Sequence, residues 1–142
     1  MKAIVSAGPG DLNTASYEKL RPPTLGEEQV RIAVRSAGVN FADLLLIQGN
    51  YQDKPEYPFA PGLEISGVVV EGQGVTAKAL IGKRVMAAIA HGGFAEEVVT
   101  DSVNAIEIPE DMSYEVASTI PVAYGTSYLA LVNRARVEKD DV

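Results

Sequence analysis

The spacing of apolar and polar positions changes several times along the chain, and each change marks an element. Over residues 29–39, Val30, Ile32 and Val34 alternate with Arg31 and Arg35. A period of two puts the apolar side chains on one face of a half-buried strand. The run Glu64-Ile65-Ser66-Gly67-Val68-Val69-Val70-Glu71 is rich in β-branched residues and is closed by Gly72-Gln73-Gly74, which predicts a second strand. Shorter apolar runs at 1–7, 83–89, 94–100 and 105–108 are divided by Gly8-Pro9-Gly10, Gly82, His91-Gly92-Gly93 and Pro109, and predict four more. Residues 21–28 hold consecutive prolines, which give no donors to a sheet, and read as loop. Residues 40–49 predict a short helix, with Asn40 as N-cap and Gly49 closing it. A loop rich in proline and aromatics follows, carrying Tyr51, Tyr57 and Phe59. The tail turns helical: Ser113 caps, Glu115 lies in the first turn, and Pro121 interrupts. Tyr124, Tyr128, Leu131 and Val132 then recur at helical spacing over 122–133. Short strands cut by glycine and proline, with two or three short helices, predict a mainly β chain with short helices (α+β), folded as a small, partly open barrel.

Composition narrows the chemistry. With 142 residues, 46% of them hydrophobic and 22% charged, the chain fits one domain, 1–142, with its own core. A net charge of −7 repels phosphate backbones and anionic lipid, so neither nucleic acid nor a membrane is an expected partner. The chain has no cysteine and one histidine, His91. Disulfides are therefore excluded, as are the usual zinc sites built from Cys and His. There is no apolar run of the roughly 20 residues a membrane span needs. The first residues reach Gly8-Pro9-Gly10 too early for a secretory signal, so a cytoplasmic location is expected.

Gly72-Gln73-Gly74-Val75-Thr76-Ala77 matches the G-x-G-x-x-A dinucleotide fingerprint and follows a strand. The fingerprint works only where a helix begins and turns its N–H groups to a pyrophosphate. Gly82 and the strand residues Lys83-Arg84-Val85 come too soon after it, and a hairpin turn is expected instead. His91 has no second ligand nearby and reads as a turn residue. No Gly-x-Ser-x-Gly elbow supports a nucleophilic triad.

Five segments occur in order: Gly38-Val39-Asn40-Phe41-Ala42-Asp43, the run from Pro58 through Glu64 to Val69, Gly82-Lys83-Arg84-Val85, Gly92-Gly93-Phe94-Ala95-Glu96-Glu97, and the run from Ile120 through Tyr124 to Tyr128. Together they resemble the N-terminal GroES-like domain of medium-chain dehydrogenases/reductases over nearly the whole chain. Zinc alcohol dehydrogenases of that superfamily carry Cys where Asn40 stands and His where Leu63 stands, and they have a four-cysteine loop. Without these, the chain is similar to the zinc-free, zeta-crystallin-like quinone oxidoreductases, in particular the quinone oxidoreductase-like protein 2 group.

The resemblance implies NADPH as hydride donor, a quinone or conjugated enone as acceptor, and no zinc. It places the amide of Asn40 near the nicotinamide and acceptor, and the hydroxyl of Thr126 on the nicotinamide carboxamide. Tyr51, Tyr57 and Phe59 become pocket walls, with Tyr51 the proton donor. Leu45 stands where some relatives place a tyrosine. Each assignment has a plainer rival: Asn40 as helix cap, Thr126 bonding back to its own backbone, Tyr57 and Phe59 as core, and Glu64 as a structural carboxylate held by backbone donors. The chain is expected to end at the junction to a Rossmann domain it lacks, and by itself to oxidise no NADPH. An apolar patch over 122–132 is then left to self-association or a homodimer. Two other readings stand beside this one: a co-chaperonin-like or crystallin-like structural module, and a domain of an enoyl-thioester reductase.

Overall fold

The computed structural model describes residues 1–141. Val142, where the expected junction falls, lies outside the described residues. In chain order the elements are β1 (Lys2–Ser6), β2 (Ala15–Lys19), β3 (Gln29–Gly38), α1 (Phe41–Ile47), β4 (Glu64–Gly72), α2 (Val75–Ala79), β5 (Arg84–Ala88), β6 (Glu97–Asp101), β7 (Ile106–Glu107), α3 (Tyr114–Ala117) and α4 (Gly125–Tyr128). Single 3-10 turns lie at Leu12–Thr14 and Ser102–Asn104, and α4 is flanked by π-helical turns at Ile120–Tyr124 and Leu129–Ala135.

β3 is the hub because it is long enough to pair on both edges. The five-stranded antiparallel sheet runs β6-β3-β4-β5-β7. The alternation in β3 is realised as read: Val30 and Ile32 are fully buried and Arg35 is exposed. Arg31 lies between neighbouring strands and pairs with Glu71 of β4 at 2.9 Å and Glu97 of β6 at 3.5 Å. Val30, Ile32, Ile65, Val69, Val85 and Val98 form the main core. β1 and β2 form a separate two-stranded sheet. Isolated bridges link β1 to Ala95, just before β6, through Ala3, and to Phe59, in the loop before β4, through Ser6. The result is the partly open barrel expected, mostly sheet with a few short helices.

β2 was not expected. Its five residues carry little apolar signal, and four of them are exposed. It forms because β1 offers it a complete antiparallel ladder, from Lys2 opposite Lys19 to Ser6 opposite Ala15. In the tail, Ser113 caps α3 as expected, its hydroxyl accepting from the Val116 N–H at 3.3 Å. Pro121 does not simply break a helix. It sits in the first turn of the π-helical Ile120–Tyr124, where its missing N–H costs nothing. Arg84 of β5 fastens this region to the sheet. Its guanidinium donates to the carbonyls of Pro109, Glu110 and Met112, and lies over the Tyr114 ring at 4.6 Å. No helix among the described residues is long and apolar enough to cross a membrane.

The fingerprint-like turn needs a correction. It is not a plain hairpin, because one helical turn, α2, does begin at Val75. Two N–H groups at its start are already taken. Glu28 directs one carboxylate oxygen to the Val75 N–H at 2.9 Å and the other to the Ala77 N–H at 3.3 Å. Gly74, at φ 98°, must lack a side chain because a Cβ there would run into the same carboxylate. The fingerprint's geometry is present in miniature, with an internal anion in place of a pyrophosphate. Replacing Glu28 by alanine is expected to lower stability by about 1–2 kcal/mol in urea unfolding, since two N–H groups lose a charged acceptor. An unchanged midpoint would show that water satisfies α2 equally well.

Candidate functional site

The candidate site forms where β3 hands over to α1. Asn40 is extended (φ −120°, ψ 156°) and occupies the N-cap position of α1. Asp43, three residues on, reaches back so that its Oδ2 accepts the Asn40 N–H at 2.7 Å. Its Oδ1 accepts the Gly62 N–H at 3.0 Å, from the loop that leads into β4. Asp43 is 1% exposed. Burial raises its pKa above the ordinary carboxylate value of 3.8, against the lowering effect of the two N–H donors; the nearby charge of Glu64 pushes it further up.

Glu64, the first residue of β4, is 3% exposed. Its Oε1 accepts from Asn40 Nδ2 at 2.9 Å and its Oε2 accepts the Val122 N–H at 2.8 Å. Asn40 therefore serves two buried carboxylates at once, Asp43 through its main chain and Glu64 through its side chain. The cap reading of Asn40 is modified accordingly: the residue stands at the cap, but its amide is given to Glu64. The expectation that backbone donors hold Glu64 is half right, since one donor is backbone and the other is this amide. Gly38, opposite Glu64 in the β3–β4 ladder, leaves the room. A Cβ on it would overlap Oε1 and stand 2.7 Å from Cδ.

The apolar wall is built next to this polar junction. Leu46, Phe59 and Leu63 are buried together, and Ala42, Tyr51 and Val122 pack against them. Phe59 is held by a reciprocal pair of main-chain bonds with Ser6, at 2.8 and 3.1 Å. The structure thus brings Asn40, Tyr51, Phe59 and the turn containing Val122 to one place. Leu45 is half-buried on α1, one residue before Leu46, which takes the core position. Tyr57 is a correction to the core reading. It is exposed, with its ring 5.2 Å from that of Phe59, because Phe59 and Leu63 already fill the space beneath α1. Thr126 is exposed on α4, one turn beyond Val122. The hydroxyl that folds back onto its own helix is that of Ser127, which donates to the Ala123 carbonyl at 2.9 Å. His91 is an exposed turn residue, as expected, set edge-on to Phe59 at 5.8 Å; desolvation there lowers its pKa.

Asp43 was missed from the sequence. The signal was the spacing Asn40-x-x-Asp43, a capping box with Asp in the reciprocal position. The Val122 N–H has no sequence signal at all, being a backbone group 58 residues from its acceptor. As a metal site the junction does not fit zinc. Asn40 offers an amide already donating to a carboxylate, Leu63 offers no donor atom, and both oxygens of Glu64 are engaged. Among the described residues no three His, Cys, Asp or Glu side chains converge as a metal would require.

Comparison with known proteins agrees with this architecture. Residues 26–110 match the alcohol dehydrogenase GroES-like domain. The chain is 40% identical over 123 residues to quinone oxidoreductase-like protein 2 of Rattus norvegicus, covering 87% of this chain and 35% of that protein. Among solved structures it is similar to the human synaptic vesicle membrane protein VAT-1 homolog-like protein (TM-score 0.89, 37% identity, 97% of this chain and 45% of that one). It is also similar to the quinone oxidoreductase of Thermus thermophilus, described with its NADPH complex (TM-score 0.79, 34% identity, 97% and 42%). The chain spans about a third of the length of such curated relatives.

The raised pKa of Asp43 gives stability a definite pH dependence. The folded state holds this proton more tightly than the unfolded chain does. The contribution is therefore complete below the ordinary value of 3.8 and is lost as pH rises through the raised folded value. Urea unfolding over roughly pH 3.5 to 7 is expected to show the wild type losing its advantage over Asp43→Asn as pH rises. An advantage that grows with pH would overturn this assignment.

Proposed function

The chain belongs to the alcohol dehydrogenase GroES-like family of the medium-chain dehydrogenases/reductases, and from that premise we propose that it is the substrate-side domain of an NADPH-dependent quinone oxidoreductase working without zinc. The observation that carries the reading is the amide of Asn40. It is held by Glu64 at 2.9 Å, at the edge of an apolar, aromatic wall.

Reduction of a quinone or enone asks for a dry surface, a hydrogen-bond donor at the oxygen that gains charge, and a proton. Tyr51 and Val122, packed over the buried Leu46 and Phe59, supply the dry surface. Only one of the two Nδ2 hydrogens of Asn40 is committed to Glu64, so the second is left for the acceptor oxygen. Tyr51, half-buried at the same wall, has the only hydroxyl in that cluster and is assigned as proton donor. Thr126 is assigned to the nicotinamide carboxamide. Bound there, NADPH supplies the hydride. The chain's own grip reaches only the nicotinamide end of NADPH, because Glu28 already occupies the one turn that resembles a pyrophosphate cradle. Tyr57, on the rim, and Leu45, behind the wall, are assigned to acceptor selection. Both the quinone oxidoreductase-like relative and the NADPH-complexed neighbour support this reading over an enoyl-thioester reductase.

Titrating the isotopically labelled chain with reduced nicotinamide mononucleotide and a soluble quinone is expected to shift the signals of Asn40, Tyr51 and Thr126. Perturbations confined to other residues would remove the assignment. The chain alone is expected to sustain no oxidation of NADPH by para-benzoquinone, for want of a phosphate grip; steady turnover would contradict that.

We further propose that Tyr124, Tyr128, Leu131 and Val132, all exposed, form the face through which copies of this chain pair. Light scattering is expected to show mass rising with concentration. A strict monomer at the highest concentration would count against it.

A further inference from the structure

Phe59 belongs to two places at once. It packs with Leu46 and Leu63 beneath α1, and it also lines a separate cleft of about 230 Å³. That cleft is bounded by the chain leaving β2, the loop before β4, the turn at 91–92 and β6. Asn40, Tyr51 and Thr126 do not line it. Its volume is below the roughly 300–1,000 Å³ of drug-sized sites, so it suits a small molecule and not a dinucleotide.

The floor of the cleft is apolar and aromatic. Leu20 and Phe59 line it, and His91 stands edge-on to the Phe59 ring at 5.8 Å. Desolvation lowers the pKa of His91 from 6.5, so at neutral pH its imidazole brings a planar ring without a charge. A second planar ring set against these two gains from edge-to-face packing as well as from burial.

The rim is charged, and its charges are unmatched. Arg21 and Glu56 both line the cleft and are exposed, and neither makes an ion pair with the other or with any other described residue. Glu97 also lines the cleft, but Arg31 already holds its carboxylate at 3.5 Å. The Met1 ammonium donates to the Leu20 carbonyl at 3.0 Å. Arg21 precedes Pro22-Pro23 and Glu56 follows Pro55. Proline fixes its own φ and holds the residue before it extended, so the main chain carrying both charges is set before a ligand arrives.

We propose that this cleft binds a free aromatic α-amino acid, with its carboxylate on Arg21, its ammonium on Glu56 and its ring against Leu20, Phe59 and His91. The guanidinium fork matches a carboxylate, and a carboxylate accepts from an ammonium. A simple organic anion is repelled by Glu56 and a simple organic cation by Arg21. A neutral apolar molecule uses the floor and leaves the rim idle. A small zwitterion with an aromatic side chain uses all three parts of the cleft. The site does not depend on the hydride-transfer reading, since Phe59 alone is shared with it.

Titration of the isotopically labelled chain with L-phenylalanine tests this, with phenylpropionate, phenethylamine and alanine as probes lacking the ammonium, the carboxylate and the ring. The signals of His91 and Gly92, which line the cleft and not the wall under α1, are the reporters. Phenylalanine is expected to shift both saturably. Phenylpropionate and phenethylamine are expected to bind about 3- to 5-fold more weakly, the range that one exposed ion contact provides. Alanine is expected to bind at least about 10-fold more weakly, for want of the ring.

The variants Arg21→Gln and Glu56→Gln assign each charge. In Arg21→Gln phenylalanine is expected to weaken by the same 3- to 5-fold, while phenethylamine, with no carboxylate to lose, is unchanged. Glu56→Gln should weaken phenylalanine and leave phenylpropionate unchanged. Each comparison sets two ligands against one protein, so a general loosening of the fold weakens both and is recognised as such. The absence of a saturable shift at His91 up to about 10 mM phenylalanine overturns the proposal. So do equal affinities for phenylalanine and the two truncated probes, equal losses for both ligands in either variant, and shifts confined to Asn40 and Tyr51.

Discussion

Two carboxylates buried side by side, with no cation among the described residues in an ion pair with either, impose the strongest demand in this molecule. An unpaired charge of that kind costs several kcal/mol to bury, so every lone pair that faces inward calls for an N–H. The chain meets the demand with main-chain groups of Asn40, Gly62 and Val122 and one side-chain amide, that of Asn40. Each donor segment is different: the start of α1, the loop before β4 and the turn before α4. Satisfying Asp43 and Glu64 therefore assembles the site. The β3–β4 register places Gly38 opposite Glu64, and the apolar wall grows beside the junction because α1 and the Phe59 loop have already been drawn to it.

The parts of the fold that could be read in the sequence are those whose causes are local. β3 and β4 declare themselves through alternation and β-branching, and α3 through Ser113. What stayed hidden was stabilised from a distance. β2 has no pattern of its own and exists because β1 presents an edge. α2 looked too short to be a helix, and its capping carboxylate comes from Glu28, 47 residues away from Val75. Over 120–135 the apolar spacing correctly signalled helix, but it did not distinguish π-helical turns from α-helical ones. The site divided in the same way. Asn40, Tyr51 and Phe59 were legible because aromatic and amide side chains stand out in a list of residues. Asp43 was written in a three-residue spacing that went unused, and the N–H of Val122 could not have been found without coordinates. Tyr57 and Phe59, two residues apart in one loop, looked alike in sequence and differ in burial because the space beneath α1 admits only one of them.

Here the residue at the head of α1 is an amide that needs a neighbouring acceptor, and Glu64 is that acceptor. A carboxylate that would be a poor ligand alone becomes a fixed reference point, joining the barrel to the helical tail on which Thr126 sits. The attachment has a second anchor in Arg84, whose guanidinium is satisfied by three carbonyls and an aromatic face in place of an acid. Two of the tail's attachments to the sheet are thus of opposite charge, and neither relies on an ion pair that salt would screen.

The carboxylate of Glu28 has one more consequence. It is tethered by the fold beside the amides of α2, so its local concentration there exceeds about the millimolar range typical of short tethers. A free phosphate or nucleotide would have to outcompete an anion that never diffuses away. The turn is therefore self-inhibited as an anion receptor, permanently and by covalent attachment. The chain carries the outline of a nucleotide-binding loop and, from the turn before β3, the group that keeps nucleotides out of it.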